Sequence, residues 1–152
     1  MGKKHVIKKS EEEIIKETDK IEAGLKKEPK AAAKAQGKVS EGKVYVFSSY
    51  NNTIITLSDL SGNVLSQKSA GSIGFKGAKK GTAFAASKVG GTVADIAVKI
   101  GMEKIHILVK GIGPGRDSAI RSLMTKGLDI LSIKDITPIP HNGCRPRKVR
   151  RV

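Results

Sequence analysis

The sequence has few of the residues that stabilise small secreted domains or anchor proteins in membranes. It has one cysteine, Cys144, so an internal disulfide is excluded and a reducing compartment is favoured. It has no tryptophan and no run that approaches the roughly 20 apolar residues of a membrane-spanning helix. The N-terminus has no hydrophobic signal core, and the acidic residues Glu11, Glu12 and Glu13 argue against a transit peptide. These absences predict a cytoplasmic protein without a membrane partner.

Acidic residues are also scarce compared with basic ones. The chain has 29 Lys+Arg against 14 Asp+Glu, which gives a formal net charge of +15 and a pI near 10.0. So large an excess of one sign opposes compaction by self-repulsion and normally has a polyanion to neutralise it. This balance is typical of nucleic-acid-binding proteins. The 152 residues, 38% of them hydrophobic, are sufficient for one domain with one modest core.

The kind of nucleic acid follows from the low aromatic content. The chain has only 3 Phe and 2 Tyr, and we expect two or three of these in the core, which leaves too few for a single-strand stacking platform. No predicted helix has the Arg, Asn and Gln face that reads the DNA major groove. Loops rich in Lys, Arg, Asn and Gly suit folded RNA, which is read by shape and backbone. RNA, and not DNA, is therefore the predicted partner.

Composition divides the chain into three parts. Residues 1–40 contain 11 Lys and 7 acidic residues but few large aliphatic ones, which predicts a disordered N-terminal extension. Within it, residues 11–27 could form a helix when bound, because their apolar side chains fall roughly on one side. Residues 41–137 are predicted to form an α/β domain, and residues 138–152 an extended basic tail.

Periodicity predicts the elements of the central domain. Three strands joined by short turns indicate an antiparallel meander: residues 43–50, 53–58 and 64–69, with turns at Asn51-Asn52 and 61–63. A helix is predicted from the N-cap Thr82 to about Ile100, closed by Gly101. Its apolar stripe should consist of Val89, Val93, Ile96, Ala97 and Ile100. The apolar run 105–109 predicts a strand covered on both faces. A second helix, about 116–126, should direct Ile120, Leu123 and Met124 inward, with Gly127 as C-cap, and residues 128–136 should form the last strand.

The order β-β-β-α-β-α-β predicts an α/β fold, a mixed five-stranded sheet with helices packed on it. Its last strands should be parallel, joined through right-handed crossovers. This architecture would suit a ribonuclease-H-like nuclease, which needs clustered carboxylates for two Mg²⁺ ions. The first strand has no acidic residue, and five aspartates are spread over turns, helices and the last strand: Asp59, Asp95, Asp117, Asp129 and Asp135. We therefore expect the architecture without the active site.

Two glycine-rich loops precede the predicted helices. The loop 71–81 resembles a phosphate cradle, because Lys76, Lys79 and Lys80 supply charge just before a helix N-terminus. It does not have the spacing of a nucleotide P-loop, and the alternative is a flexible, solvated loop. The segment 110–116 has the same character, with Arg116 at the start of the second helix. It is not a dinucleotide fingerprint, because Arg116 occupies the position of the third glycine.

The C-terminal segment 145–151 has five cations in seven residues and no acidic residue. Prolines within and before it forbid a regular helix, so an extended arm whose guanidinium groups pair with phosphates is predicted. The alternative is a tail that only increases solubility. His141 and Cys144 could supply just two metal ligands, whereas a structural zinc site needs four. As a nucleophilic pair they have no third group to orient them, so no metal, cofactor or catalytic thiol is predicted.

Several motifs resemble the bacterial type of the ribosomal protein S11 family over about residues 42–152. They are Asn51-Asn52-Thr53, the run from Gly74-Phe75-Lys76-Gly77 to Thr82, Phe84-Ala85-Ala86, Lys110-Gly111, Gly113-Pro114-Gly115-Arg116, and the segment from Thr137 to Pro146. The chain differs from the family in having Ile112 and Ala83 where proline is usual, and in its long N-terminal extension.

The resemblance implies a non-catalytic constituent of the small ribosomal subunit, without a cofactor, in the cytoplasm. Members bind the central domain of the small-subunit rRNA on the platform, near the mRNA exit and the Shine–Dalgarno region, beside other ribosomal proteins. The RNA-binding residues it implies, together with those proposed above from charge, are Asn51, Asn52, Thr53, Ser72, Phe75, Lys76, Lys79, Lys80, Lys110, Gly115, Arg116, His141, Asn142, Arg145, Arg147, Lys148, Arg150 and Arg151. Since Gly143 does not shield ring closure, we also hypothesise that Asn142 is prone to deamidation or isoaspartate formation.

Overall fold

The computed structural model describes residues 39–149. Two predictions concern residues outside this range: the disordered extension at 1–40, apart from residues 39 and 40, and the bound helix at 11–27. Arg150 and Arg151 of the basic tail lie outside it as well.

The described chain forms a mixed five-stranded sheet and two α-helices, which confirms the predicted fold class. The elements are β1 (Glu41–Ser48), β2 (Thr53–Asp59), β3 (Val64–Ser69), a 3-10 helix (Gly77–Gly81), α1 (Ala83–Ile100), β4 (Lys104–Lys110), α2 (Arg116–Thr125) and β5 (Asp129–Asp135). The strand order is β3-β2-β1-β4-β5. β1, β2 and β3 pair antiparallel, whereas β4 pairs parallel with both β1 and β5. Neither α-helix in this part of the chain is long and apolar enough to cross a membrane.

The first strand has the two-residue periodicity that its sequence predicts, with Val44, Val46 and Ser48 on one side and Tyr45, Phe47 and Ser49 on the other. Val44, Val46 and Ser48 are buried, whereas Tyr45 is partly exposed and Phe47 is exposed. Side chains two apart lie on the same face of a strand, so β1 has one covered and one open face. The covered face shares a single core with the buried residues of both helices.

The prediction that β4 is covered on both faces is wrong. Ile105, Ile107 and Val109 are buried, but His106 and Leu108 are only partly buried. The two helices pack on the same side of the sheet, where they form one core with the buried residues of β1, β2 and β4. A continuous apolar run is compatible with a strand covered on one face or on both, because it does not show where the covering helices lie.

The first helix has the predicted boundaries. The hydroxyl oxygen of Thr82 accepts a hydrogen bond from the backbone N–H of Ala85 at 3.2 Å. Gly101, at φ 92°, ends the helix in the left-handed conformation. The predicted apolar stripe is confirmed, since Val89, Val93, Ile96 and Ala97 are buried, and Ile100 is partly buried at its end.

The second helix differs from its prediction in two details. Leu123 is buried and Ile120 partly buried, but Met124 is 57% exposed, so its predicted inward direction is wrong. The inward position belongs to Ala119, whose small side chain allows close approach to α1. The C-cap is Lys126, one residue before the predicted Gly127. Gly127 follows with φ +80°, a conformation that favours glycine.

Candidate nucleic-acid interface

The segments predicted to bind RNA leave the sheet at one edge. Because β1, β4 and β5 are parallel, their carboxyl ends lie together. The hairpin after β1 and the loop after β3 belong to the same edge, since Ser48 pairs with Thr53 and Ile54 pairs with Ser69. We call this end the loop edge; it comprises residues 49–53, 70–82, 110–116 and 136–149. Both α-helices begin here.

The hairpin tip between β1 and β2 is a short turn with its own hydrogen bonds. The hydroxyl of Ser49 donates to the carbonyl oxygen of Asn52 at 3.1 Å and accepts from the Asn52 N–H at 3.2 Å. Asn51 is exposed and Asn52 is partly buried. Thr53 is fully buried, and its hydroxyl lies 3.4 Å from that of Ser48. The structure therefore presents Asn51 to the surface and uses the Thr53 side chain to hold the hairpin.

Glycines allow the neighbouring loops to approach this hairpin closely. A Cβ atom on Gly81 would lie 2.2 Å from the carbonyl oxygen of Tyr50. One on Gly113 would lie 2.3 Å from the carbonyl oxygen of Ser49, and one on Gly115 would lie 2.5 Å from the Thr53 hydroxyl. A side chain at any of these three positions would clash with the hairpin, so glycine allows the three segments of the loop edge to approach one another closely.

The loop 70–82 is anchored by its aromatic residue and presents its lysines outward. Phe75 is buried, and its N–H donates to the carbonyl oxygen of Ala70 at 3.1 Å. Ser72 is exposed, with its hydroxyl accepting from the Ser69 N–H at 2.9 Å. The lysines stand at the surface: Lys76 and Lys79 are exposed, and Lys80 is partly buried. The predicted phosphate-binding cations are thus displayed on a hydrogen-bonded loop.

The segment 110–116 is fastened to the end of β5. The guanidinium group of Arg116 donates to the Gly111 carbonyl oxygen at 2.5 Å and to Oδ2 of Asp135 at 2.6 Å. Asp135 also accepts from the N–H and hydroxyl of Thr137, at 2.8 and 2.6 Å. The Arg116 hydrogen bond, followed by those of Thr137, holds the pKa of Asp135 well below its usual range. Arg116 is therefore partly engaged within the protein, whereas Lys110 is exposed.

The tail leaves the loop edge after β5 and forms neither helix nor strand between residues 138 and 149. Asn142 has φ 54°, the only positive φ of a non-glycine residue in the described chain. All the predicted RNA-binding residues of the tail within residues 39–149 are exposed: His141, Asn142, Arg145, Arg147 and Lys148. An extended, exposed arm leaves the guanidinium groups of the tail accessible for bidentate pairing with phosphates.

Acidic residues lie mainly at the opposite edge of the sheet. Four of the seven in residues 41–149 are there: Glu41 begins β1, Asp59 ends β2, Glu103 precedes β4 and Asp129 begins β5. Asp95 on α1 pairs with Lys126 at 2.8 Å. Only Asp117 and the paired Asp135 belong to the loop-edge half of the domain. The sequence does not reveal this uneven distribution of carboxylates, because it depends on the strand directions.

Sequence reasoning also missed the positions of the aromatic side chains. Two or three aromatic residues were expected in the core, but of the five, all within residues 39–149, only Phe75 is buried. Phe47, Tyr50 and Phe84 are exposed, and Tyr45 is partly buried. Tyr50 belongs to the hairpin tip, and Phe84 is the second residue of α1. The apolar stripe of α1 was a usable signal, because it begins at Ala85 and leaves Phe84 outside it. Among residues 39–149, no three His, Cys, Asp or Glu side chains are grouped so that they could hold a metal ion.

Comparison with known proteins supports the interpretation of these motifs. The family model described as Ribosomal protein S11 matches residues 42–151. Small ribosomal subunit protein uS11 of Treponema pallidum (strain Nichols) is 56% identical over 119 residues, which cover 78% of this chain and 94% of that protein. The protein of the same name from Solibacter usitatus (strain Ellin6076) is 48% identical over 132 residues, 87% of this chain and 96% of that protein. The chain belongs to the ribosomal protein S11 family.

Proposed function

We propose that the protein is a non-catalytic structural constituent of the small ribosomal subunit in the cytoplasm, where it binds rRNA. Its relatives bear the name of a small ribosomal subunit protein. The observation that carries the proposal is the uneven distribution of carboxylates between the two edges of the sheet. The loop edge presents the cationic loops and tail, whereas four carboxylates lie at the far edge.

Neutralisation of phosphates supplies the affinity. Each Lys or Arg that contacts a phosphate releases condensed counterions, which favours binding and makes it depend on salt. The exposed cations of the loop edge are suited to this role: Lys76, Lys79, Lys110, Arg145, Arg147 and Lys148. Lys80 and Arg116 are partly buried and can approach a phosphate from the surface they retain.

The other predicted site residues either present polar groups to RNA or hold the loops in shape. Exposed Asn51, Ser72, His141 and Asn142 offer polar groups to RNA. Buried Thr53, Phe75 and Gly115 instead fix the backbone of the loops that carry the contacts. Folded RNA is recognised mainly by its shape and backbone, so a rigid arrangement of loops serves this recognition.

The family resemblance supports a finer proposal about location. We place the protein on the platform, in contact with the central domain of the small-subunit rRNA and with neighbouring ribosomal proteins, near the mRNA exit and the Shine–Dalgarno region. The tail is then a clamp between RNA segments, and the protein supports translation and assembly of the subunit.

Sedimentation of a native lysate through a sucrose gradient after a high-salt wash tests the structural role. Stoichiometric recovery with the small subunit is the expected result. Recovery at the top of the gradient would refute an integral role, and metal-dependent nuclease assays would then be the next step.

The single cysteine allows a test of the location. Cys144 is exposed, so an iron chelate that generates hydroxyl radicals can be attached to it in the full chain without other changes. After incorporation into the subunit, we expect strand cleavage in the central domain of the rRNA. The control carries Cys144→Ser and Leu60→Cys, which moves the chelate to the exposed turn at the opposite edge. The same cleavage from both positions, or cleavage confined to another rRNA domain, would contradict the placement.

A further inference from the structure

Two aromatic residues, Tyr50 and Phe84, are exposed at the loop edge, whereas the sequence predicted too few exposed rings for base stacking. We propose that Tyr50 and Phe84 stack on unpaired bases of the bound RNA. The site therefore binds single-stranded or bulged nucleotides in addition to phosphate backbone. This inference rests on the proposed function and specifies the class of RNA that the same edge recognises.

Phe84 is held in a fixed position although 62% of it is exposed. It lies in the first turn of α1, whose N-cap is formed by Thr82. Its ring packs against that of the buried Phe75, with centroids 6.0 Å apart and planes at 84°. This edge-to-face contact is a preferred geometry for aromatic pairs, and it orients Phe84 without burying it.

A cation accompanies this ring. The ammonium group of Lys88, one turn further along α1, lies 5.5 Å from the centroid of Phe84. The ammonium lies over one face of the ring, so a base can stack on the other face while Lys88 contacts the phosphate of a neighbouring nucleotide. Stacking surfaces combined with cations that follow the backbone are typical of proteins that bind single-stranded nucleic acids.

Tyr50 is the most exposed of the aromatic residues of the described chain, at 69%. It forms the hairpin tip together with Asn51, and its backbone lies against Gly81, three residues before Phe84. The two rings therefore project from adjoining backbone segments at the same edge. An exposed ring loses apolar contact with the core, so two such rings beside Lys76, Lys79 and Lys80 indicate a partner with flat apolar faces and negative charge.

Unpaired RNA bases fit this description better than an apolar protein surface does. Each base offers a π face, and its phosphate matches the surrounding cations. Stacking of one base on one aromatic side chain contributes about 1–3 kcal/mol, which corresponds to a change in Kd of about five-fold to 150-fold.

Two labelled RNA probes with equal numbers of phosphates test the proposal: an oligoadenylate of about 12 nucleotides, within the usual site sizes for single strands, and a duplex. Fluorescence anisotropy measures binding of the full-length protein to each. Phe84→Leu and Tyr50→Leu should each weaken binding to the single strand by about five-fold or more and leave duplex binding within about two-fold. Phe84→Tyr retains the ring and should retain the affinity. Leu60→Ala, at the opposite edge, is the control for an exposed apolar side chain, and circular dichroism verifies that each variant is folded.

The outcomes separate the two proposals. If the unmodified protein binds neither probe, both the proposed RNA binding and the stacking fail. If it binds both probes and the leucine variants lose no affinity, or lose it equally for both probes, only the stacking is refuted. If the rings act by stacking, RNA binding by the leucine variants should have the same salt dependence as binding by the unmodified protein, because no phosphate contact is removed.

Discussion

Nη2 of Arg116 lies 2.6 Å from Oδ2 of Asp135, which joins the first residue of α2 to the last residue of β5. The same carboxylate accepts two hydrogen bonds from Thr137, where the tail begins. The hydroxyl of Thr137 also accepts from the Gly111 N–H at 3.1 Å. One aspartate thus fixes the relative positions of a helix start, a glycine loop and the tail.

We predict that Asp135→Asn lowers the stability of the protein at neutral pH. The folded-state pKa of Asp135 lies below its ordinary value, so the ionised carboxylate stabilises the fold. This contribution is fully present above the unfolded-state pKa of about 4 and is lost as the pH falls through the folded-state pKa. Since the side chain is 52% exposed, the effect should be modest.

Urea unfolding at pH 7 and at about pH 2 measures this effect. The midpoint of the variant should be lower than that of the unmodified protein at pH 7, and the difference should narrow at acidic pH. Asp129→Asn, at the exposed beginning of the same strand, is the control. A difference that does not change with pH would show that the carboxylate charge is not responsible.

We predict that Asn142 deamidates faster than Asn63. Both are exposed, but Asn142 precedes Gly143 whereas Asn63 precedes the β-branched Val64, which hinders attack of its N–H on the amide carbon. Peptide mapping of aged small subunits should find aspartate or isoaspartate at Asn142 and intact asparagine at Asn63. Gly143→Ala should slow the reaction, and intact asparagine at both positions after ageing would reject the hypothesis.

Local features of the fold could be predicted from the sequence, and features that depend on distant segments could not. The alternation in β1 and the caps at Thr82 and Gly101 follow from neighbouring residues, and all three are confirmed. The open face of β4 and the outward direction of Met124 depend on where the helices lie, which no local pattern states.

The same distinction applies to the candidate site. Its cations could be found from composition, because lysines and arginines cluster with glycine in the loops and the tail. The hydrogen bond between Arg116 and Asp135 joins residues 19 positions apart and depends on the parallel register in which Asp135 lies opposite Val109. The exposure of Tyr50 and Phe84 likewise depends on which aromatic residue the core accommodates, and it accommodates Phe75.

Replacing each of the two adjacent glycines in α1 by alanine should change the stability of the protein in opposite directions. A Cβ atom on Gly90 would lie 1.9 Å from the Ser122 hydroxyl and 3.0 Å from the Ala119 carbonyl oxygen of α2. A Cβ atom on Gly91 would meet only the flexible end of Lys126, at 3.9 Å. Gly90 therefore allows the helices to pack closely, whereas Gly91 only weakens its helix.

Gly90→Ala should lower the free energy of unfolding by about 1–3 kcal/mol through overpacking. Gly91→Ala should raise it by up to about 1 kcal/mol, the difference in helix propensity between the two residues. Thermal or urea unfolding of the two variants measures both changes, and each serves as the other's control. If both substitutions stabilised the protein, the close contact between α1 and α2 at Gly90 would be refuted.

The tail leads to a prediction about the salt dependence of RNA binding. The slope of log K against log salt is roughly 0.7 to 0.9 per phosphate neutralised, so loss of four phosphate contacts should reduce it by up to about 3. We expect this reduction when Arg145, Arg147, Arg150 and Arg151 are replaced by alanine and binding to small-subunit rRNA is titrated with salt.

A charge-matched comparison shows whether position or net charge determines the effect. Arg145→Ala with Arg147→Ala removes two exposed tail cations, and Lys43→Ala with Lys104→Ala removes two at the opposite edge of the sheet. The first pair should reduce the slope by about 1.5 and the second by much less, because a slope counts phosphates in contact and not distant charge. Equal reductions from both pairs would mean that the tail acts only through net charge, as a tail that merely increases solubility would.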